Sequence, residues 1–419
     1  MGEITHQQRE LARQVPTPCF LYHLDVLVQQ VNGLRHHLAE GMHLYYAVKA
    51  NPNLGLLKRL LPLVDGVDIA SSGEMEQARR AGFAPAAMSF AGPGKSLHEL
   101  QQALDHQLGV LSLDSLAEAH QVAELARARG SKARVVIRVN PAREFAGYAI
   151  RMAGRPSPFG VDEEGLPSVV QEVLQLGEWL DLLGFHVYPG TQCLKGEAVE
   201  EHFAATLAMV ETLIQAIPFP LRLINFGGGL GIPYHSGQQP LDGEQLATSL
   251  SRLWQPFRQK YAGCQAILEP GRYLVAPMGW YVVTVTAIKY SKGETFCITD
   301  GGIHHFMAAS GGFGQLIRKN YPMINLDAEN SRPLVKVNVV GPLCTTLDVL
   351  AQQVELPQPQ VGDRLAILQA GAYGFTASPS LFLSHPTPWE YLADENNRLL
   401  PLRRPVHPLQ WGEVTEDGD

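Results

Sequence analysis

The sequence predicts an α/β fold, a (β/α)8 TIM barrel, followed by an all-β, barrel-like domain that includes the N-terminal strand. Three observations predict it. Eight short β-rich runs alternate with helical patterns between residues 44 and 269, strand-like runs with few helices follow residue 270, and 419 residues exceed one ordinary core. We therefore predict a barrel over residues 25–270 and a β-domain over 1–24 plus 271–419.

The barrel strands are predicted from short runs of β-branched and aromatic residues. In order these are "LYYAV", "GVDIA", "AMSFA", "GVLSL", "RVVIRV", "LLGFHV", "RLINF" and "AILE". Segments between them, such as "GEMEQARRAG" and "DSLAEAHQVAELARARG", carry apolar residues at three- and four-residue intervals, as amphipathic helices do. One strand and one covering helix per unit is the repeat of a (β/α)8 barrel.

The β-domain is predicted from the texture of the chain after residue 270. Its strand-like runs are "GWYVVTVTAIKY", "ETFCITD", "PLVKVNVV" and "DRLAILQAG". The segment "TPCFLYHLDVL" is also strand-like and precedes the first barrel unit. We expect it to pair with the C-terminal strands.

Composition and charge exclude several classes of function. The net charge is −8 with no basic run, which argues against nucleic acid as a partner. No apolar run is long enough to span a bilayer and the polar start has no export core, so we expect a soluble, cytoplasmic protein with no membrane partner. Five cysteines without CxxC spacing predict neither a disulfide framework nor a metal site.

Polar and glycine-rich residues collect where the predicted strands end, which in such a barrel is the catalytic rim. Lys49 follows strand one, Asp68 ends strand two, Tyr188 follows strand six, "GGGLG" (227–231) follows strand seven and Glu269 follows strand eight. A lysine at a strand end is commonly a solvated surface residue. The polar and glycine-rich residues that share this rim favour a chemical role for Lys49.

These residue types suit pyridoxal 5'-phosphate. The backbone N–H groups of a glycine-rich turn can bind a phosphate, although a tight turn explains three glycines equally well. In "EPGRY", Glu269 and Arg272 lie three residues apart across a Pro-Gly bend, as a surface ion pair or as two groups for one ligand. The cofactor needs an amine for its aldehyde, N–H groups and an arginine for its phosphate, and an acid for its ring nitrogen. Lys49 is then the Schiff-base lysine.

The motifs resemble those of the fold type III pyridoxal-phosphate-dependent amino-acid decarboxylases, which include diaminopimelate, ornithine and arginine decarboxylases. "YYAVKANPN", "VDIASSGE", "RVNP", "FGGGLGIP", "EPGRY", "GPLCTTLDVL" and "GAYG" occur in the order of that family and cover nearly the whole chain. The resemblance implies a carboxy-lyase (decarboxylase) that acts through a Schiff base and a quinonoid intermediate. It also implies a homodimer whose active sites are shared between one subunit's barrel and the other's β-domain.

The resemblance also implies the roles of individual residues. Lys49 binds the cofactor covalently, Glu269 contacts its ring nitrogen, and Asp68 and Tyr188 are further cofactor contacts. The phosphate contacts are Gly227, Gly228, Gly229, Arg272 and Tyr373, with Thr191 in addition. Cys344 acts at the α-carbon of the substrate, and Asp348 binds the substrate. Taken alone, Cys344 would be read as a buried structural cysteine.

Departures from the family pattern concern the substrate. Tyr188 stands where the family often has a stacking histidine, and Thr345 follows Cys344 where diaminopimelate decarboxylases usually have glutamate. With "GYAIRMAGRPSPFGVD", these changes resemble a specialised-biosynthesis subgroup that includes carrier-protein-linked and exosortase-associated decarboxylases. Arg151 or Arg155 is then a candidate for a carboxylate or a phosphopantetheine phosphate, unless it is a solvated loop residue.

Several alternatives remain open at this point. The substrate is either a carrier-tethered aminoacyl group or a free diamino acid such as diaminopimelate. An amino-acid racemase is less favoured because alanine racemases place an arginine at the ring nitrogen, where this chain has Glu269. A non-catalytic regulator would be expected to lack the lysine or the cysteine, and a cofactor-carrier protein would lack the β-domain.

Overall fold

The computed structural model describes residues 4–152, 154–235, 237–311, 319–328 and 332–408. Within them the chain forms two compact units. The barrel unit consists of Gln30–Ile232 and Pro240–Leu274, and the β unit of Met1–Gln29, Pro233–Gln239 and Val275–Asp419. The domain bounds given above, 25–270 for the barrel and the remainder for the β-domain, stay a prediction.

The helices are mostly in the barrel unit and follow its strands. Their bounds are α1 His6–Gln14, α2 Leu24–Arg35, α3 Leu54–Leu60, α4 Ser72–Ala81, α5 Leu97–Asp105, α6 Leu116–Arg129, α7 Leu166–Gln175, α8 Gly196–Ala216, α9 Gly243–Lys260 and α10 Arg272–Val275. No helix among the described residues has both the length and the apolar character needed to cross a membrane.

The strands fall into two large sheets and one two-stranded ladder. Their bounds are β1 Cys19–His23, β2 Met42–Ala47, β3 Gly66–Ile69, β4 Met88–Phe90, β5 Val110–Leu113, β6 Ala133–Asn140, β7 Ile150–Arg151, β8 Val161–Asp162, β9 Leu180–Val187, β10 Gly190–Thr191, β11 Leu223–Asn225, β12 Gln265–Leu268, β13 Gly279–Ser291, β14 Glu294–Thr299, β15 Met323–Asn325, β16 Leu334–Val340, β17 Val349–Pro357, β18 Arg364–Ile367, β19 Trp389–Ala393 and β20 Leu399–Arg403.

Eight parallel strands close the barrel. Their order is β5-β4-β3-β2-β12-β11-β9-β6, and β5 also pairs with β6, so the sheet has no free edge along this path. Five of these strands contribute to one packed apolar cluster, formed by Val110, Val136, Leu183, Leu223 and Ile267. The eight predicted runs supply these eight strands, which confirms the predicted barrel.

The β unit is built around the N-terminal strand. β1 runs antiparallel to β13 and parallel to β19, so it lies between two strands from the C-terminal part of the chain. Leu21, Trp280, Val282 and Leu368 belong to the apolar core of this sheet. The expected pairing of the N-terminal strand with the C-terminal domain is therefore confirmed.

Serine and glycine set the ends of several barrel helices. Ser71, Ser96 and Ser115 are the N-caps of α4, α5 and α6, and each hydroxyl accepts a backbone N–H three residues later. Gly82 and Gly130 end α4 and α6 in the left-handed region, with φ of 107° and 59°. These caps keep the strand-to-helix loops short, which holds the polar strand ends at one rim.

Candidate active site

Lys49 lies at the end of the first barrel strand and beside the acid of the second. It occupies a 3-10 turn, Val48–Ala50, directly after β2. Because β2 and β3 are neighbours, with Ala47 opposite Asp68, the Lys49 Nζ lies 3.5 Å from the Asp68 Oδ2. The Asp68 side chain is 2% exposed, whereas that of Lys49 is 47% exposed. The amine is therefore accessible, next to a buried carboxylate.

The "NPN" that follows Lys49 forms the start of α3. Asn53 is the N-cap of this helix, and its side chain accepts from the backbone N–H groups of Gly55 and Leu56. The Asn51 Oδ1 accepts from the Asn53 N–H. The turn is thus fixed by its own asparagines, which orients the lysine that precedes it.

Glu269 is a buried acid held by Asn225 from the neighbouring strand. The Asn225 Nδ2 donates to the Glu269 Oε1, and the Asn225 Oδ1 accepts the backbone N–H of Gly227 at 2.8 Å. Burial, followed by the charge of Asp68, raises the pKa of Glu269 to about 8. Burial also raises the pKa of Asp68, although Lys49 and Arg138 oppose the shift. Two buried acids at this rim thus favour a cationic ligand group.

The glycine-rich loop passes too close to its neighbours for any side chain. A Cβ on Gly228 would lie 2.2 Å from the Glu269 carbonyl oxygen, and one on Gly229 would lie 2.3 Å from the Gly190 carbonyl oxygen. Gly227 and Gly229 also have φ of 66° and 98°. The loop backbone is therefore bare of side chains, with Gly228 against the end of the eighth strand and Gly229 against Gly190, and bare N–H groups of this kind can bind a phosphate.

Arg272 follows the Pro270–Gly271 bend at the end of the eighth barrel strand. It is the first residue of α10 and is 5% exposed. A Cβ on Gly271 would lie 2.9 Å from the Ala50 Cβ, so the bend packs against the turn that carries Lys49. Arg272 and Lys49 therefore belong to adjoining segments of one rim.

Tyr188 lies half-buried between two cations. Its ring centroid is 5.9 Å from the Lys49 Nζ and 5.8 Å from the Arg138 Cζ. Arg138 in turn lies over the Phe159 ring at 4.6 Å. Thr191 is half-buried in β10, which pairs with the short strand β7. A flat aromatic face is therefore available beside the lysine.

The two candidate substrate arginines have different positions. Arg155 is exposed, and its Nε donates to the Glu144 Oε1 at 2.9 Å, so its charge is already paired on the loop surface. Arg151 belongs to β7, opposite Gly190, and its side chain lies outside the described residues. Their proposed contact with a carboxylate or phosphate stays a prediction.

The β unit holds the remaining predicted residues. Cys344 is exposed, whereas the other four cysteines of the chain are buried. Asp348 is 2% exposed, and its two carboxylate oxygens accept the backbone N–H groups of Ile303 and Leu343, each at 2.8 Å. Tyr373 is half-buried with a positive φ of 52°. Asp348 thus fixes the Cys344 loop, and its role in substrate binding stays a prediction.

Three residues of the barrel interior add to the site without having been predicted from the sequence. They are Asn225, Arg138 and His186, which are 0%, 8% and 2% exposed. Each lies on a strand, and closure of the barrel brings it towards Glu269 or Tyr188. The only sequence signal was a polar residue within an apolar strand.

The residues of the barrel fit pyridoxal 5'-phosphate. An accessible amine, a side-chain-free backbone loop and a buried acid of raised pKa match the aldehyde, the phosphate and the ring nitrogen of that cofactor. A protonated ring nitrogen would give Glu269 the cation that its buried setting lacks.

Comparison with known proteins agrees with this chemistry. A family model described as "Pyridoxal-dependent decarboxylase, pyridoxal binding domain" matches residues 24–276. The chain is 38% identical over 386 residues to an L-glutamyl-[BtrI acyl-carrier protein] decarboxylase of Niallia circulans, covering 91% of this chain and 90% of that protein. It is 32% identical over 401 residues to the diaminopimelate decarboxylase of Aquifex aeolicus, covering 94% and 91%.

A solved structure shows the same architecture over almost the whole length. The crystal structure of diaminopimelate decarboxylase from Helicobacter pylori complexed with L-lysine superposes with a TM-score of 0.85 at 27% identity, covering 96% of this chain and 97% of that one.

Proposed function

The chain belongs to the pyridoxal-dependent decarboxylases, and on this basis we propose that it removes the α-carboxylate of a glutamyl group tethered to a carrier protein. The observation that carries the proposal is the 38% identity, over 91% of the chain, to a decarboxylase whose substrate is a carrier-linked glutamyl group. We place the reaction in specialised biosynthesis.

The loop around Cys344 supports a substrate without a second amino-acid head group. Thr345 stands where diaminopimelate decarboxylases usually have glutamate. Its backbone N–H donates to the Leu343 carbonyl, and its hydroxyl accepts from the Leu347 N–H at 3.3 Å. The side chain is thus used within its own loop and offers no carboxylate for a free diamino acid.

The residues divide the chemistry between them. Bound pyridoxal 5'-phosphate supplies an electron sink for the bond that breaks at the α-carbon. Lys49 provides the amine for its aldehyde, Glu269 holds the proton on its ring nitrogen, and Gly227, Gly228 and Arg272 bind its phosphate. Tyr188 offers a stacking face. Once carbon dioxide has left, the Cys344 thiol donates a proton to the α-carbon.

We further propose a homodimer with shared active sites, in the cytoplasm. The apolar side chains of Leu347, Leu381, Phe382 and Leu383 are 70%, 57%, 45% and 47% exposed in the β unit, as expected of a surface covered by a partner. All five cysteines are free, which supports a reducing compartment.

The experiment compares tethered and free substrates. The protein loaded with pyridoxal 5'-phosphate is incubated with a glutamyl carrier protein, and separately with diaminopimelate, lysine and ornithine, and mass spectrometry records the loss of carbon dioxide. The controls are the Lys49→Ala variant and a carrier protein that bears no glutamyl group. Loss from the tethered glutamyl group supports the proposal. Loss only from a free diamino acid would replace it with the alternative that the diaminopimelate decarboxylases favour.

A further inference from the structure

His186 joins Glu269 to a second buried residue of the barrel. It lies on β9, and its Nε2 is 3.6 Å from the Glu269 Oε2. Its Nδ1 is 2.9 Å from the hydroxyl of Ser112 on β5. His186 and Ser112 are 2% and 0% exposed. The three side chains of this row are therefore shielded from bulk solvent, since Glu269 is 5% exposed.

The His186 imidazole is neutral. Burial is the largest cause that holds its pKa well below the usual value, followed by the positive charges of Arg138, Lys49 and Lys95 and by His202. A neutral imidazole carries a proton on one nitrogen only. The position of that proton decides what His186 offers to Glu269.

Ser112 and Glu269, the two polar neighbours of the imidazole, favour the tautomer that carries the proton on Nε2. In the cofactor-bound protein, where a protonated ring nitrogen would hold Glu269 ionised, an Nε2–H faces the carboxylate and Nδ1 accepts from the Ser112 hydroxyl. The opposite tautomer would place a lone pair against the carboxylate. Among the described residues the Nε2 has no hydrogen-bond partner, and a shift of about 0.6 Å would close its distance to the Oε2.

We propose that His186, oriented by Ser112, is a positioning residue that stabilises the ionised form of Glu269 once the protonated ring nitrogen of the cofactor is bound. This inference rests on the proposed function, in which the ionised acid keeps the ring nitrogen of the cofactor protonated. Asn225 already holds the Oε1, so His186 completes the polar contacts of the carboxylate at its other oxygen. The row Ser112–His186–Glu269 thereby sets the strength of the electron sink without contacting the substrate.

The test measures the proton on the ring nitrogen directly. The variants are loaded with nitrogen-15-labelled pyridoxal 5'-phosphate, because the nitrogen-15 chemical shift separates a protonated from an unprotonated ring nitrogen. His186→Phe keeps a flat ring and removes the donor, and His186→Gln returns an N–H near the position of Nε2. Ser112→Ala removes the hydroxyl that orients the imidazole. Ser89→Ala is its matched control, since Ser89 is also 0% exposed and, within the described part of the chain, its hydroxyl has no partner.

We expect His186→Phe to move the shift towards the unprotonated form and to lower kcat about tenfold with little change in KM, because a hydrogen bond to a charged group is lost. His186→Gln should recover most of the wild-type shift. Ser112→Ala should move it part of the way, and Ser89→Ala should not move it.

A wild-type shift in both His186→Phe and Ser112→Ala would overturn the inference while leaving the proposed function intact. If His186→Phe does not fold, the contrast between Ser112→Ala and Ser89→Ala decides the matter. If the wild-type protein takes up no cofactor, the proposed function fails first and the inference with it.

Discussion

Glu269→Gln should flatten the pH dependence of the stability of the cofactor-free protein. Burial raises the pKa of this acid from 4.5 to about 8 in the folded chain. Between these values the folded protein binds a proton that the unfolded chain has released. Its stability therefore falls as the pH rises through this window. Glutamine binds no such proton in either state, so the variant lacks this contribution to the pH dependence.

The magnitude follows from the number of protons. One proton difference changes the free energy of unfolding by about 1.4 kcal/mol per pH unit, so from about pH 5.5 to about pH 7 the wild type should lose about 2 kcal/mol more than the variant. For a barrel of this size that is a melting-temperature difference of about 4–8 °C. Lowered pKa values of buried histidines act in both proteins and cancel in the comparison.

The assay is thermal unfolding of both cofactor-free proteins across this pH range. Glu124→Gln, an exposed glutamate on α6, is the control for loss of a carboxylate as such and should follow the wild type. Equal pH slopes for wild type and Glu269→Gln would refute the view that the buried acid holds a proton. A steeper fall in stability with rising pH in the variant would show that this carboxyl affects the pH dependence with the opposite sign.

Three further outcomes follow from the site. Lys49→Ala should abolish both the cofactor's absorbance band in the purified protein and decarboxylation, and a persistent band would exclude this lysine. Gly228→Ala should reduce cofactor affinity by at least tenfold in a fluorescence titration, because its Cβ would lie 2.2 Å from the Glu269 carbonyl oxygen, and a wild-type affinity would contradict the cradle. Cys344→Ala should lower kcat or divert the product without weakening cofactor binding, and an unchanged rate and product would remove the thiol from the reaction.

The fold could be predicted because its strands are locally recognisable. Each barrel strand is a short β-branched or aromatic run, and its end is marked by a polar residue or a glycine. The helix α1 was not predicted, although Thr5 and Gln8 form a capping box whose spacing is visible in the sequence. Its polar composition hid that signal. Strand β19 follows a proline-rich segment and was also not predicted.

The site could be predicted only where a residue stands at a strand end. Lys49, Asp68 and Glu269 follow or end runs of apolar residues, so the rim they share follows from the barrel alone. His186 and Ser112 stand inside different strands and are 74 residues apart in the chain, and only barrel closure brings them together at 2.9 Å. No local sequence pattern could have indicated this contact. Interior polar residues of a barrel strand therefore need the three-dimensional register before their role can be inferred.

The charges of the rim link cofactor binding to the stability of the barrel. Arg138 lies 3.7 Å from Asp114, and Lys95 lies 2.8 Å from Glu118, so these cations already have acidic neighbours. Lys49 lies beside Asp68. Glu269 instead contacts two neutral groups, the Asn225 amide and the His186 imidazole, and its pKa is raised. A ligand that brings a positive charge to Glu269 offsets the cost of burying its ionised carboxylate. The arrangement that weakens the cofactor-free barrel at neutral pH is therefore the one that favours a protonated ring nitrogen.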